Sequence, residues 1–410
     1  MIENLYLIIM KNKEIKQENI TLETVFTYFH MIEKTYECNK EVNFKYSVQD
    51  YNFNIITNIN NALNIILNCE IPKVRATHNT AIYERGKPRV ITPIDIYDRV
   101  IQKVLCDYCL IPSIYNHLIY DNGASVKGKG TIFARKRMDS FIEKAKKMYG
   151  RDNIYILCFD FKSYFDSIPH KICLKVLQKY VKDERLVNLT IRIIESYKEK
   201  DILKIEDPVE REMALKRLYN HEDVGLCLGS QISQVMAVAV LNEFDHYIKD
   251  NKRMKFYNRH MDDGRIIHNS KEELQQLLNE LKVVIEEMGL KFNEKKTHIT
   301  KITKGFTFLK IQYRIDKKNR TVKKLVRQGI TRERRKLNKF TKKVEQKEMT
   351  LDDVYANVQS WNAHSKIANS YRTVRRIMNQ YNKLFGGYRM TYYYYKTHPE
   401  IKRKKKVVRC

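Results

Sequence analysis

Asn153-Ile154-Tyr155-Ile156-Leu157-Cys158-Phe159-Asp160 is apolar almost throughout, rich in β-formers, and ends on an acid. A half-exposed strand would alternate apolar and polar side chains, so this run predicts a strand buried on both faces. Further along, Lys255-Phe256-Tyr257-Asn258-Arg259-His260 and Arg265-Ile266-Ile267-His268 flank Met261-Asp262-Asp263-Gly264. An Asp-Gly pair between two β-forming runs predicts a hairpin, which puts two acids at a tight turn.

Working outward, residues 270–288 read as an amphipathic helix. Ser270 with Glu273 makes a capping box, Leu274, Leu277, Leu278, Leu281 and Ile285 form the stripe, and Gly289 stops it. Upstream, Thr80-Ala81-Ile82-Tyr83 and Arg89-Val90-Ile91 read as strands joined by a turn at Gly86 and Pro88, followed by a helix from Asp95 to about Leu110. Residues 1–70 show helical periodicity at Ile56, Ile59, Leu63, Ile66 and Leu67. The apolar run Leu5 to Met10 is too short to span a bilayer, with Lys11 and Lys13 on the wrong side for a signal peptide, and reads as a packing segment. Downstream, Arg332 to Val344 and Leu351 to Leu384 are helical in pattern, and the end carries Tyr388, the tyrosines 392–395 and the basic run 402–406.

A chain of 410 residues suggests two to three domains at about 150 residues each. With 43% hydrophobic and 11% aromatic residues it is too apolar for a disordered chain, despite a net charge of +29. Residues 316–410 hold 27 Lys and Arg against 7 Asp and Glu, so most of the excess lies in the last quarter. Such a charge points to a polyanion, nucleic acid before membrane. Eight scattered cysteines fit a reducing, cytoplasmic compartment, and the lone pair Cys106/Cys109 reads better as two buried residues on one helix face than as half a zinc site.

A strand-end acid beside an Asp-Asp hairpin is suited to hold two divalent cations about 3.5–4 Å apart for phosphoryl transfer, since hard cations prefer oxygen ligands and clustered carboxylates need charge compensation. An isolated Asp-Asp-Gly is otherwise an ordinary solvated turn, and Asp160 alone could cap a helix.

The order of the remaining motifs decides between these. Residues 160–170 (Asp160-Phe161-Lys162-Ser163-Tyr164-Phe165-Asp166-Ser167-Ile168-Pro169-His170), then Leu228-Gly229-Ser230-Gln231-Ile232-Ser233-Gln234, then His260-Met261-Asp262-Asp263, then residues 289–297 and 305–310 resemble, in order and spacing, the palm motifs of reverse transcriptases. Lys87 to Gln102 resembles their fingers, so the likeness covers roughly residues 75–385. Within the superfamily, Leu228-Gly229 and Ser233-Gln234, with Gln359 to His364, look most like bacterial reverse transcriptases of diversity-generating retroelements and related prophage and antiphage-defence enzymes.

The resemblance implies an α+β right-hand polymerase with an antiparallel palm sheet: a helical N-terminal region (1–70), fingers (71–150), palm (151–305), helical basic thumb (306–385) and a basic, tyrosine-rich tail (386–410). It implies RNA-directed DNA synthesis, making cDNA from an associated noncoding RNA in a diversity-generating or antiphage-defence retroelement. Partners would be that template RNA, dNTPs, the cDNA and RNA–DNA heteroduplex, and an accessory protein, with no membrane. The setting would be a bacterial cytoplasm, the gene bacterial or prophage-encoded.

By the same resemblance, Asp160, Asp262 and Asp263 would be the catalytic acids and, with the carbonyl of Phe161, would hold two Mg²⁺ ions, with Mn²⁺ able to substitute. Lys87 and Arg89 would clamp the triphosphate, and Phe165 would exclude a ribonucleotide 2′-hydroxyl, though Tyr164 beside it leaves open which ring faces the nucleotide. Gly229, Ser233 and Gln234 would line the nucleotide site, with Ser233 capping a helix that runs to about Ile248, and Lys296, with Lys295 as rival, would sit near the pyrophosphate. Leu228, His260 and Met261 would meet primer and template. His260 replaces the family's usual tyrosine, and Leu228 replaces the usual glutamine, a change that accompanies loose base selection. The rival readings are a template-independent or protein-primed DNA polymerase, and a non-catalytic RNA-binding scaffold.

Overall fold

The computed structural model describes residues 19–70, 72, 80–84 and 87–388. The segment Leu5 to Met10 and the tyrosine run 392–395 lie outside the described residues, as does the basic run 402–406. The longer helices are α1 (Tyr28–Asn39), α2 (Tyr46–Phe53), α3 (Ile55–Leu67), α4 (Ile96–Leu105), α5 (Thr131–Tyr149), α6 (His170–Tyr180), α7 (Glu184–Ile202), α8 (Pro208–Tyr219), α9 (Gln231–Ala239), α10 (Lys271–Glu287), α11 (Arg327–Glu345), α12 (Leu351–Ser365) and α13 (Tyr371–Phe385). The strands are β1 (Thr80–Glu84), β2 (Lys87–Ile91), β3 (Tyr155–Asp160), β4 (Phe256–His260), β5 (Asp263–His268), β6 (His298–Lys301), β7 (Phe306–Phe308), β8 (Ile311–Ile315) and β9 (Thr321–Leu325). They form a β1-β2 hairpin, a sheet of order β4-β5-β3-β6, and an antiparallel β7-β8-β9 sheet.

Two compact units divide the chain: residues 1–134, 159–264 and 275–297 in the first, and 135–158, 265–274 and 298–410 in the second. In the first, α3 buries Ile59, Ala62, Leu63 and Ile66 at helical spacing, whereas Ile56 and Leu67 are exposed. The helix expected from Asp95 is α4, with the Asp95 carboxylate accepting from the Tyr97 amide at 2.9 Å. It continues into a π-turn, Cys106–Leu110, that buries both cysteines. Burial pushes the Cys109 thiol up to about 12 and Cys106 also upward, which disfavours the thiolate a metal would need.

Beneath Asp160, Phe159 packs edge-on against Phe244 at 5.8 Å, and Phe161 lies 5.2 Å from Phe292. These rings supply the desolvated floor of the sheet. Phe161 bridges Phe292 antiparallel, and the Asn293 amide donates to the Asp160 carbonyl at 2.7 Å. The chain then turns, with the Lys296 amide donating to the Asn293 carbonyl at 3.0 Å.

In the second unit, β3 pairs antiparallel with β6 from Tyr155↔Lys301 to Cys158↔His298. The Ser270 hydroxyl accepts from the Glu273 amide at 3.0 Å, as the expected capping box requires, but the Ser270 amide donates to His268 Nδ1 rather than to Glu273. Strands β7–β9 were not foreseen in the sequence, although β8 alternates buried Ile311, Tyr313 and Ile315 with exposed Gln312 and Arg314, as a one-sided strand must. The helical stretch expected from Leu351 to Leu384 is broken at 366–370, where Asn369 exchanges two hydrogen bonds with Lys323, its amide to the carbonyl at 2.8 Å and its Oδ1 from the amide at 2.9 Å. Leu337, Val354, Val358, Ile377 and Tyr381 then close one core among α11, α12 and α13.

Candidate active site

Asp160 ends β3 and is 8% exposed, on the opposite face of the strand from its neighbours Phe159 and Phe161. The expected hairpin is present as β4 and β5, but its turn is Met261-Asp262 rather than Asp263-Gly264. Met261 takes the left-handed backbone conformation, φ +59°. Gly264 lies inside β5, where a Cβ would overlap the Phe159 ring, so this glycine is there for close packing and not for a turn. Asp262 is thereby placed at the tip and Asp263 at the first position of β5.

What fixes the tip was not visible in the motif. Arg259 and Asp245 are a fully buried ion pair, with Arg259 Nε at 2.7 Å from Asp245 Oδ1 and Nη2 at 2.5 Å from Oδ2. The Tyr257 hydroxyl donates to the same carboxylate at 2.6 Å. Arg259 Nη1 donates at 2.9 Å to the carbonyl of Met261, the strained turn residue. A buried pair of this kind survives only where further hydrogen bonds satisfy both ions, and here they tie the turn to the helix preceding β4. The one signal in the sequence is an acid, Asp245, directly following Val238, Leu241 and Phe244 on an apolar helix face.

The electrostatics of the site follow from crowding. Burial, followed by the charge of Asp160 and then of Asp263, raises the Asp262 carboxyl to about 6, against the pull of Lys296. Lys296 Nζ reaches Asp160 Oδ2 at 2.6 Å, so in this structure an ammonium offsets part of the negative charge. Among the described residues no three His, Cys, Asp or Glu side chains are gathered as a metal cluster. The donor set nonetheless suits a hard divalent cation: two carboxylates from separate elements that repel one another, with a lysine as the removable counterion.

The nucleotide-side residues are placed unevenly. Tyr164 is buried and its hydroxyl donates to the Ala237 carbonyl at 2.6 Å, so it belongs to the core, while Phe165 is only half-buried. Gly229 has φ +126°, and a Cβ there would overlap the Thr92 carbonyl oxygen, while the Thr92 amide donates to the Leu228 carbonyl at 3.0 Å. The close approach that needs glycine is therefore to the chain just after β2. Ser233 does not cap α9: the cap is Ser230, whose hydroxyl accepts from the Ser233 amide at 3.3 Å, and Ser233 is buried in the first turn. The helix also ends sooner than Ile248, breaking after Ala239 into Asn242–His246 and a π-turn, Tyr247–Asn251. Ser230 donates to Gln102 Oε1 at 2.8 Å, and Gln102 in turn donates to the Tyr197 hydroxyl, a support for this loop that the motif did not announce. Gln234 is exposed, and Leu228, His260 and Met261 are half-buried. Lys87 and Arg89 stand on β2, and their side chains lie outside what the structure describes.

The sequence profile of the reverse transcriptase (RNA-dependent DNA polymerase) family matches residues 71–313, more than half of the chain. The protein belongs to that family. Among solved structures it is similar to apo telomerase from Candida tropicalis truncated from its C-terminal domain, at 13% identity and a TM-score of 0.42 over 62% of this chain and 56% of that one. It is also similar to telomerase from Candida albicans in complex with the TWJ fragment of telomeric RNA, at 10% identity and a TM-score of 0.39 over 83% of this chain and 66% of that one. The chain thus spans less than two thirds of the length of either structure. No curated protein matches it. Among the described residues no helix is long and apolar enough to cross a membrane.

Proposed function

We propose that this protein is an RNA-directed DNA polymerase that copies an associated noncoding RNA into cDNA, working in a diversity-generating or antiphage-defence retroelement in a bacterial cytoplasm. The observation that carries this reading is that β3, which ends at Asp160, and β5, which starts just after Asp262 at the hairpin tip, are neighbours in one sheet, with Asp160 among the charges that raise the partly buried Asp262 carboxyl. In this account fingers, palm and thumb occupy residues 71–150, 151–305 and 306–385.

Two Mg²⁺ ions, when bound, supply the charge that activates a primer 3′-hydroxyl and stabilises departing pyrophosphate. Asp160 and Asp262 would hold them, helped by Asp263 and the Phe161 carbonyl. Lys296, which bonds Asp160 at 2.6 Å, would be the cation nearest the pyrophosphate. Phe165, the half-buried ring, faces the sugar and favours DNA as product, and Lys87 and Arg89 clamp the triphosphate. A cation that relieves this repulsion must stabilise the fold, so added Mg²⁺ is expected to raise the thermal unfolding midpoint of the wild type and to leave Asp262→Asn nearly unmoved. Equal shifts in the two proteins would contradict the assignment.

Leu228, beside the close approach at Gly229, is expected to loosen base selection. Leu228→Gln should lower the misincorporation frequency counted by sequencing the cDNA, and equal error rates would remove Leu228 from this role. The reading itself is tested by supplying a primed RNA, dNTPs and Mg²⁺ and sequencing what is made. Complementary cDNA supports it. Homopolymer made without template would indicate an untemplated polymerase, DNA covalently joined to the protein would indicate protein priming, and no product would leave an RNA-binding scaffold.

A further inference from the structure

The end of α6, residues 113–118 and the short helix Asn242–His246 enclose a cavity of about 920 Å³, none of whose lining residues belongs to the site around Asp160. Its walls carry Lys179, Lys182, His117 and His246, and no carboxylate lines it. The nearby acids are engaged: Glu243 with Lys179 at 2.7 Å, an exposed pair that an anion can displace, Asp250 with His246 at 2.5 Å, Asp245 with Arg259 and Asp183 with Arg185. His246 Nε2 also faces the His117 carbonyl at 2.8 Å, so both ring nitrogens have acceptors; burial opposes the charge, but these partners outweigh it and raise the imidazole's pKa. The rings of His117 and Tyr180 lie 4.9 Å apart at 30°, forming an aromatic wall, and Asn242 donates to the Tyr180 hydroxyl at 3.0 Å while its Oδ1 is buried without a partner.

We propose that this cavity binds a ribonucleotide outside the catalytic centre, its base against the His117/Tyr180 wall and its phosphate on Lys179 and Lys182. Cations beside stacking rings are how single-stranded nucleic acid is held without sequence readout, and the volume suits one unstacked nucleotide. The nucleotide can belong to a bound RNA strand or be free in solution, and the two are separable. The full-length protein is titrated with a fluorescein-labelled single-stranded RNA dodecamer and, separately, with AMP, without dNTPs, so the result does not depend on polymerisation.

For a strand nucleotide, His117→Ala is expected to weaken RNA binding about tenfold. The Lys179→Ala/Lys182→Ala variant should flatten the slope of log affinity against log salt by about 0.7, the share of one phosphate. Chemical unfolding midpoints of both variants should match the wild type, since these side chains are exposed. AMP binding that is lost in the variants while RNA binding is unchanged assigns the cavity to a free nucleotide. Unchanged RNA affinity, salt slope and AMP binding in every variant would overturn the proposal.

Discussion

Asp262→Asn is expected to cut nucleotide incorporation on a primed RNA by about 10³-fold or more, the equivalent of roughly 4 kcal/mol or more of transition-state stabilisation. The same substitution should raise stability in the absence of divalent cation, because it removes a partly buried charge that Asp160 and Asp263 oppose. A gain on the order of 1–3 kcal/mol corresponds to a carboxyl displaced this far from its ordinary range. Opposite signs for activity and stability are what separate a charge kept for chemistry from one kept for packing. A variant that loses activity and stability together would place Asp262 among the structural residues.

The second large effect is expected at Arg259. Arg259→Met leaves Asp245 buried and charged with only the Tyr257 hydroxyl to answer it, a situation that costs about 3–5 kcal/mol. The chemical unfolding midpoint should fall accordingly. Asp245→Leu added to Arg259→Met should restore much of the stability, because the stranded charge is gone. Activity should not return with it, since the Met261 carbonyl has still lost the donor that holds the turn. An unchanged midpoint in Arg259→Met would mean that this ion pair does not organise the hairpin.

These two residues also mark how far the sequence could be read. The strand ending at Asp160 and the presence of the hairpin were legible because they rest on local β-forming runs, and α10 because its stripe of Leu274, Leu277, Leu278, Leu281 and Ile285 repeats at helical period. The position of the turn was not legible. Asp263-Gly264 has the composition of a tight turn, but Gly264 answers to the ring of Phe159, which is distant in sequence. Ser233 was read as a cap by its place in a motif, while the backbone needed the hydroxyl three residues earlier, at Ser230. Nothing in the run Lys255 to His260 marks Arg259 as buried, and only the fold shows that its carboxylate partner lies on the preceding helix. At Gly264 and Arg259 a contact distant in sequence decided which residue did the work, whereas at Ser230 the backbone at the helix start did.

Whether Asp160 and Asp262 together hold divalent cations is decided by anomalous diffraction from crystals grown with Mn²⁺ and a primed template. Two peaks about 3.5–4 Å apart between those carboxylates, with Lys296 moved off Asp160, is the predicted result. No anomalous density there at saturating Mn²⁺, with Lys296 still bonded to Asp160, would contradict it.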